Sequence, residues 1–188
     1  MALFEQLDEV AVEFCRLVSA TPIEAFDDPT PCAEWTVRLL INHVVAATEW
    51  YTCLVDARPM PDLSVDQLGD DPVGSFSRRH REFCEALRRG DALGAKYHHS
   101  LGELTGSTLL KMRSTEYIVH GWDLSRATGQ IASFPDDLCL TYLDMYRDLL
   151  AGRVREPTRG FGVALPFAEN APPLDRLVAF FGRRPSAQ

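Results

Sequence analysis

Glu116 and His120 lie four residues apart in the string STEYIVHGWDLSRATG, and His43 lies far upstream in a second helix-like segment, LLINHVVAATEWY. On an α-helix, residues i and i+4 stack on one face with their Cβ atoms roughly 6 Å apart. One carboxylate oxygen and one imidazole nitrogen at that spacing can converge on a single ion at about 2.0–2.2 Å, and a histidine from a packed neighbouring helix completes three ligands. Two neutral imidazoles and one carboxylate leave a bound Zn²⁺ net positive with an open position. That ligation acidifies a bound water or thiol near neutral pH. The zinc-protease signature HExxH is absent, so peptide hydrolysis by that route has no support.

Each member of the trio also has a plainer reading. His43 has Leu39, Leu40, Ala46, Ala47 and Trp50 as helical neighbours, the setting of a hydrogen-bonded core histidine, and Glu-x-x-x-His pairs are common helix contacts. His80 falls on the apolar stripe of another helix and reads first as a satisfied interior histidine, with entry into the site as the alternative. His98 and His99 fall in a turn-rich stretch and read as surface residues, with contact to substrate at a pocket mouth as the alternative. Asp123 shares the face of His120 and either orients an imidazole N–H or serves helix packing and capping. Trp35 and Trp122 read as packing residues, with the rim of a pocket as the alternative. Cys32 has no basic neighbour to activate a thiolate and reads as a structural thiol.

These residues need helices to position them. Leu3, Leu7, Val10, Phe14, Leu17 and Val18 recur at helical spacing up to Thr21-Pro22. Thr36 is the N-cap of a second helix reaching residue 55, and Asp71-Pro72 supplies N-cap and N1 of a third that ends by Gly90. The segment AKYHHSLGELTG predicts a loop or small hairpin. A fourth helix covers 107–128 and stops at Gly129. Asp136 caps a fifth whose buried stripe is Leu138, Tyr142, Met145 and Leu149; after the irregular RGFGVALPFAENAPP, residues 173–181 form a closing helix ended by Gly182. Long amphipathic helices without long strands between them predict an all-α, antiparallel four-helix bundle over residues 1–160, with a short C-terminal extension, 161–188, packed on it.

Composition narrows the function classes. A chain of 188 residues, 46% of them hydrophobic, suits one domain with a sizeable core. A net charge of −8 with no run of Lys or Arg argues against nucleic acid. The opening MALFEQLDEVAVEF has no basic n-region and no apolar run approaches the roughly 20 residues of a membrane span, so a cytoplasmic protein without a membrane partner is expected. Cys15, Cys32, Cys53, Cys84 and Cys139 are odd in number and include no CxxC pair, so neither a disulfide framework nor a zinc ribbon is indicated. The GFG at 160–162 and the string GELTGS lack the strand-to-helix setting and the lysine of a phosphate loop.

The strings TPCAEWTVRLLINHV, EYIVHGWDLSRATG and PLDRLVAFFGRRP, in this order, resemble the actinobacterial metal-binding proteins related to the N-terminal domain of mycothiol-dependent maleylpyruvate isomerase, within the wider DinB/YfiT-like four-helix-bundle group. The resemblance covers nearly the whole chain. Carried over position by position, it implies metal ligands at His43 of INHV, Glu116 of TEYIVH and His120 of HGWD, a divalent ion, usually zinc, and mycothiol as a thiol cosubstrate. The isomerase itself has a separate C-terminal domain contributing to its active site, whereas a short tail follows Gly160 here, so maleylpyruvate is not implied as the substrate. The expected function is a metal-dependent enzyme acting on a small molecule, a thiol-dependent transferase or isomerase. Two alternatives belong to other classes: a metal-independent acid–base enzyme of secondary metabolism using Glu116 and the histidines, and a non-catalytic metal- or ligand-binding protein. A homodimer is compatible with each.

Overall fold

The computed structural model describes residues 2–32, 35–153 and 162–185. Four long helices, α1 (Leu3–Ser19), α2 (Val37–Val55), α3 (Pro72–Arg88) and α4 (Gly106–Thr128), form the bundle. α1 packs on α3 and α4, and α2 packs on the same two, so the four close a ring. α5 (Asp136–Leu149) lies against α4, and α6 (Pro173–Phe180) lies against both. An antiparallel hairpin of β1 (Lys96–His99) and β2 (Gly102–Thr105) precedes α4, with Lys96 opposite Thr105.

Local chemistry sets the ends of these helices. The Thr36 side chain accepts from the Leu39 N–H, Asp71 from the Gly74 N–H, and Thr105 from the Thr108 N–H, each satisfying an orphan donor of a first turn. Gly129 leaves α4 at φ 68°, the left-handed conformation that glycine tolerates best. The fifth helix departs from expectation. Pro135 holds its cap position without a side-chain bond, and Asp136 is already helical; with Asp137 it puts negative charge at the positive end of the helix dipole. Its buried face is Leu138, Cys139, Tyr142, Leu143 and Tyr146, while Met145 and Leu149 are half-buried.

α4 is the central helix, buried at every residue from Met112 to Ser125. One of its faces carries Arg113, Glu116, His120 and Asp123, a polar stripe at spacings of three and four where packing alone would select apolar side chains. Buried charge is costly unless paired, which makes this stripe the informative feature of the fold. Beside it, Gly121 permits a close approach: a Cβ there would stand 2.5 Å from Phe134 Cζ and 3.4 Å from Leu17 Cδ1.

The expected division at residues 160 and 161 lies outside the described residues. Beyond it the chain returns to the bundle, with the Gly162 and Leu165 N–H groups donating to the carbonyls of Phe181 and Ala179 at 2.9 Å each. Leu177, Val178, Ala179 and Phe181 are buried. Among the described residues, no helix is long and apolar enough to cross a membrane.

Candidate metal centre

α2 and α4 bring the predicted trio together. One donor atom from each of His43, Glu116 and His120 lies within 4.8 Å of the other two, a span that small rotamer shifts close around one ion. His43 Nε2 is 3.5 Å from Glu116 Oε2, and the two imidazole rings meet edge to face with centroids 5.2 Å apart. The ring of Trp35 lies 4.4 Å from that of His43 and 5.7 Å from that of His120, so it walls the centre. Trp122 is buried, with Arg126 over its ring at 5.9 Å.

Glu116 and His120 are held in the protonation states that metal binding requires. Burial alone would raise the Glu116 carboxyl, but the neighbouring Arg113 and His43 hold it well below the usual carboxylate range, as an anion. Burial pulls His120 down to about 4 against the opposing pull of Asp123, leaving a neutral imidazole at pH 7. His120 Nδ1 is 3.1 Å from Asp123 Oδ2. Burial would raise the Asp123 carboxyl too, but hydrogen bonds from His120 and Arg183 keep it lowered. An ionised Asp123 can only accept, so Nδ1 carries the proton and Nε2 the lone pair. The donor set, two imidazoles and one carboxylate, fits a zinc-type divalent ion.

Two arginines escaped the sequence reading. Arg113 is fully buried. Its Nη1 donates to Glu116 Oε2 at 2.9 Å, and its Nη2 donates to the Val44 carbonyl at 3.2 Å and to Thr48 Oγ1 at 3.1 Å. It thereby fixes the carboxylate and ties α4 to the backbone of α2 one residue past His43. Tyr51 and Tyr117 flank its guanidinium at 5.2 Å each. Arg183, from the segment after α6, reaches Asp123 as a fork: Nε to Oδ1 at 3.0 Å and Nη2 to Oδ2 at 2.5 Å. Arg113 stands one turn before Glu116 and could have been flagged from the string MRSTEYIVH. Arg183 had no local signal, since its partner is 60 residues away.

Other candidates are distributed as follows. His99, expected at the surface, is half-buried instead: its ring stacks on Tyr51 at 5.9 Å and meets Trp50 edge-on at 5.8 Å, because β1 alternates its faces and turns this side chain inward. His98, on the opposite face, is exposed. His80 stays outside the trio and pairs with Asp8 at 2.9 Å. Cys32, Cys53, Cys84 and Cys139 are buried, and Cys15 is half-buried.

Residues 7–125 match the family description "Mycothiol maleylpyruvate isomerase N-terminal domain". Two Mycobacterium tuberculosis proteins, Uncharacterized protein Rv0738 and Uncharacterized protein MT0763, are each 30% identical over 170 residues, covering 90% of this chain and 91% of theirs. Among solved structures, the crystal structure of the mycothiol-dependent maleylpyruvate isomerase superposes with a TM-score of 0.61 at 20% identity, covering 76% of this chain and 68% of that one. A mutant of that enzyme gives 0.60 at 19% identity over the same shares. The superposition carries the all-α, DinB-like bundle fold, and the extent of the family match carries the rest: the chain belongs to the mycothiol maleylpyruvate isomerase N-terminal domain family.

Proposed function

We propose that the protein is a metal-dependent enzyme that uses a low-molecular-weight thiol, mycothiol in the first instance, on a small electrophilic substrate, as a transferase or isomerase. The observation that carries this reading is the convergence of a partly buried His43 with buried Glu116 and His120, the carboxyl held ionised and the His120 imidazole neutral, as a divalent cation requires. A zinc ion held there would supply the Lewis acidity that favours the thiolate over the thiol at neutral pH. Everything else is done by the chain. Arg113 keeps Glu116 ionised and in place, Asp123 fixes the tautomer and ring angle of His120, and Trp35 packs against both imidazoles. Family membership and the cosubstrate in the related isomerase's name support the choice of thiol. A metal-free acid–base role is not favoured, because a carboxyl held so far below its usual range is a weak proton acceptor.

Two results test this. Adding mycothiol to the zinc-loaded protein is expected to raise its Tm by mass action. In the cobalt-loaded protein, mycothiol should add a thiolate-to-metal charge-transfer band that His120→Ala abolishes. No thermal shift and no added band with mycothiol or other cellular thiols would reject the thiol and leave a metal- or ligand-binding protein.

The outer partners give a further expectation. Asp123→Asn and Arg183→Met should each weaken zinc binding by about 10- to 100-fold, the usual effect of losing a group that orients a ligating histidine. A competition titration with a chelating dye measures it. Unchanged affinity in both variants would leave Asp123 with a packing role alone.

A further inference from the structure

On the opposite wall of the bundle, α1 and α3 build a second cluster by the same device. His80 and Cys84 stand one turn apart on α3, and Asp8 faces them from α1. His80 Nε2 is 2.9 Å from Asp8 Oδ1, Cys84 Sγ is 3.7 Å from His80 Nε2, and Cys84 Sγ is 3.9 Å from Asp8 Oδ1. Phe76 stacks on the His80 ring at 6.0 Å and Tyr117 lies 5.9 Å from it, which limits where the imidazole can turn.

The arrangement excludes one familiar chemistry. In a Cys-His-Asp nucleophile system, the carboxylate holds one ring nitrogen and the thiol hands its proton to the other. Here Asp8 and Cys84 both address Nε2, so no relay exists. An oxygen, a nitrogen and a sulfur around a common point are instead the first three corners of a tetrahedron. Around an ion bound at about 2.0–2.3 Å, such donors stand about 3.3–3.8 Å apart, and the three separations bracket that range closely.

We propose that Asp8, His80 and Cys84 form a second site, for a zinc-type divalent cation, that pins α1 to α3. A carboxylate and a thiolate together neutralise a dication, with the proton of the Cys84 thiol released to solvent on binding. The sulfur ligand selects zinc-type ions over magnesium and calcium. Arg88 approaches the other oxygen of Asp8, Oδ2, at 4.0 Å, so Oδ1 remains directed at the cluster. The Asp8 side chain is half-exposed, which gives the ion a route in and water a fourth position. This site is independent of the one proposed on α2 and α4.

Because that other site contains no sulfur, spectroscopy separates the two. Metal-free, full-length protein is titrated with Co²⁺ under a phosphine reductant, with no thiol added. The expected result is a near-ultraviolet thiolate-to-cobalt band that is complete by two equivalents in the parent, where both sites fill, saturates at one equivalent in a His43→Ala/His120→Ala double variant, and disappears in Cys84→Ser. Asp8→Asn, whose half-exposed side chain makes it a mild substitution, should weaken the band's midpoint by at least about tenfold. Absence of the band in the parent protein overturns the proposal whether or not Cys84→Ser folds. A band unchanged in Cys84→Ser or in Asp8→Asn overturns it equally, since the sulfur or the site would then lie elsewhere.

Discussion

Replacing Arg113 by methionine is expected to destabilise the metal-free protein by about 3–5 kcal/mol, because it leaves the Glu116 carboxylate charged, buried and without its cation. The guanidinium has no exposed surface and its donors reach Glu116, Val44 and Thr48, so solvent cannot substitute for it. Urea unfolding followed by circular dichroism measures the loss. Zinc should restore more stability to Arg113→Met than to the parent, since a cation beside Glu116 replaces the missing charge. Equal stability of variant and parent, or an equal gain from zinc, would contradict this account of the polar stripe. In the metal-free parent, His120 acts in the acid range. Its folded-state value of about 4 lies below the roughly 6.5 of an unfolded histidine. The unfolded chain therefore binds the proton first, and stability falls as pH drops from about 6.5 towards 4.

The second large effect concerns the trio itself. His43→Ala and His120→Ala should each reduce affinity for zinc beyond the about 10- to 100-fold expected for loss of an outer partner, because each removes a direct donor from a three-residue set. Titration calorimetry on the two variants beside Asp123→Asn and Arg183→Met gives a graded series. Ligand variants that bind as tightly as the outer ones would show that the donors have been misassigned.

How much of this was written locally in the sequence depends on the range of the interactions. Thr36, Asp71 and Gly129 mark helix ends through bonds and dihedrals that involve only neighbouring residues, so the bundle's elements could be read directly. The pairing of Glu116 with His120 followed from the helical repeat, and His43 joined them through the family resemblance. Arg183 and His99 could not be read this way. One depends on a segment folding back across the bundle end, the other on which face of a four-residue strand turns inward. Asp136 was misplaced by one position because an aspartate in a first turn serves the helix dipole as well as a cap would. His80 shows the opposite error of emphasis. Its apolar stripe hid a polar partner, Asp8, carried by a different helix.

The most direct test is elemental analysis of protein purified without a histidine tag and without added metal, beside a His43→Ala/His120→Ala double variant prepared identically. The account predicts that the parent carries close to one divalent ion per chain more than the variant, with zinc as the element that accounts for the difference. Equal metal content in the two preparations, with both folded by circular dichroism, would contradict it.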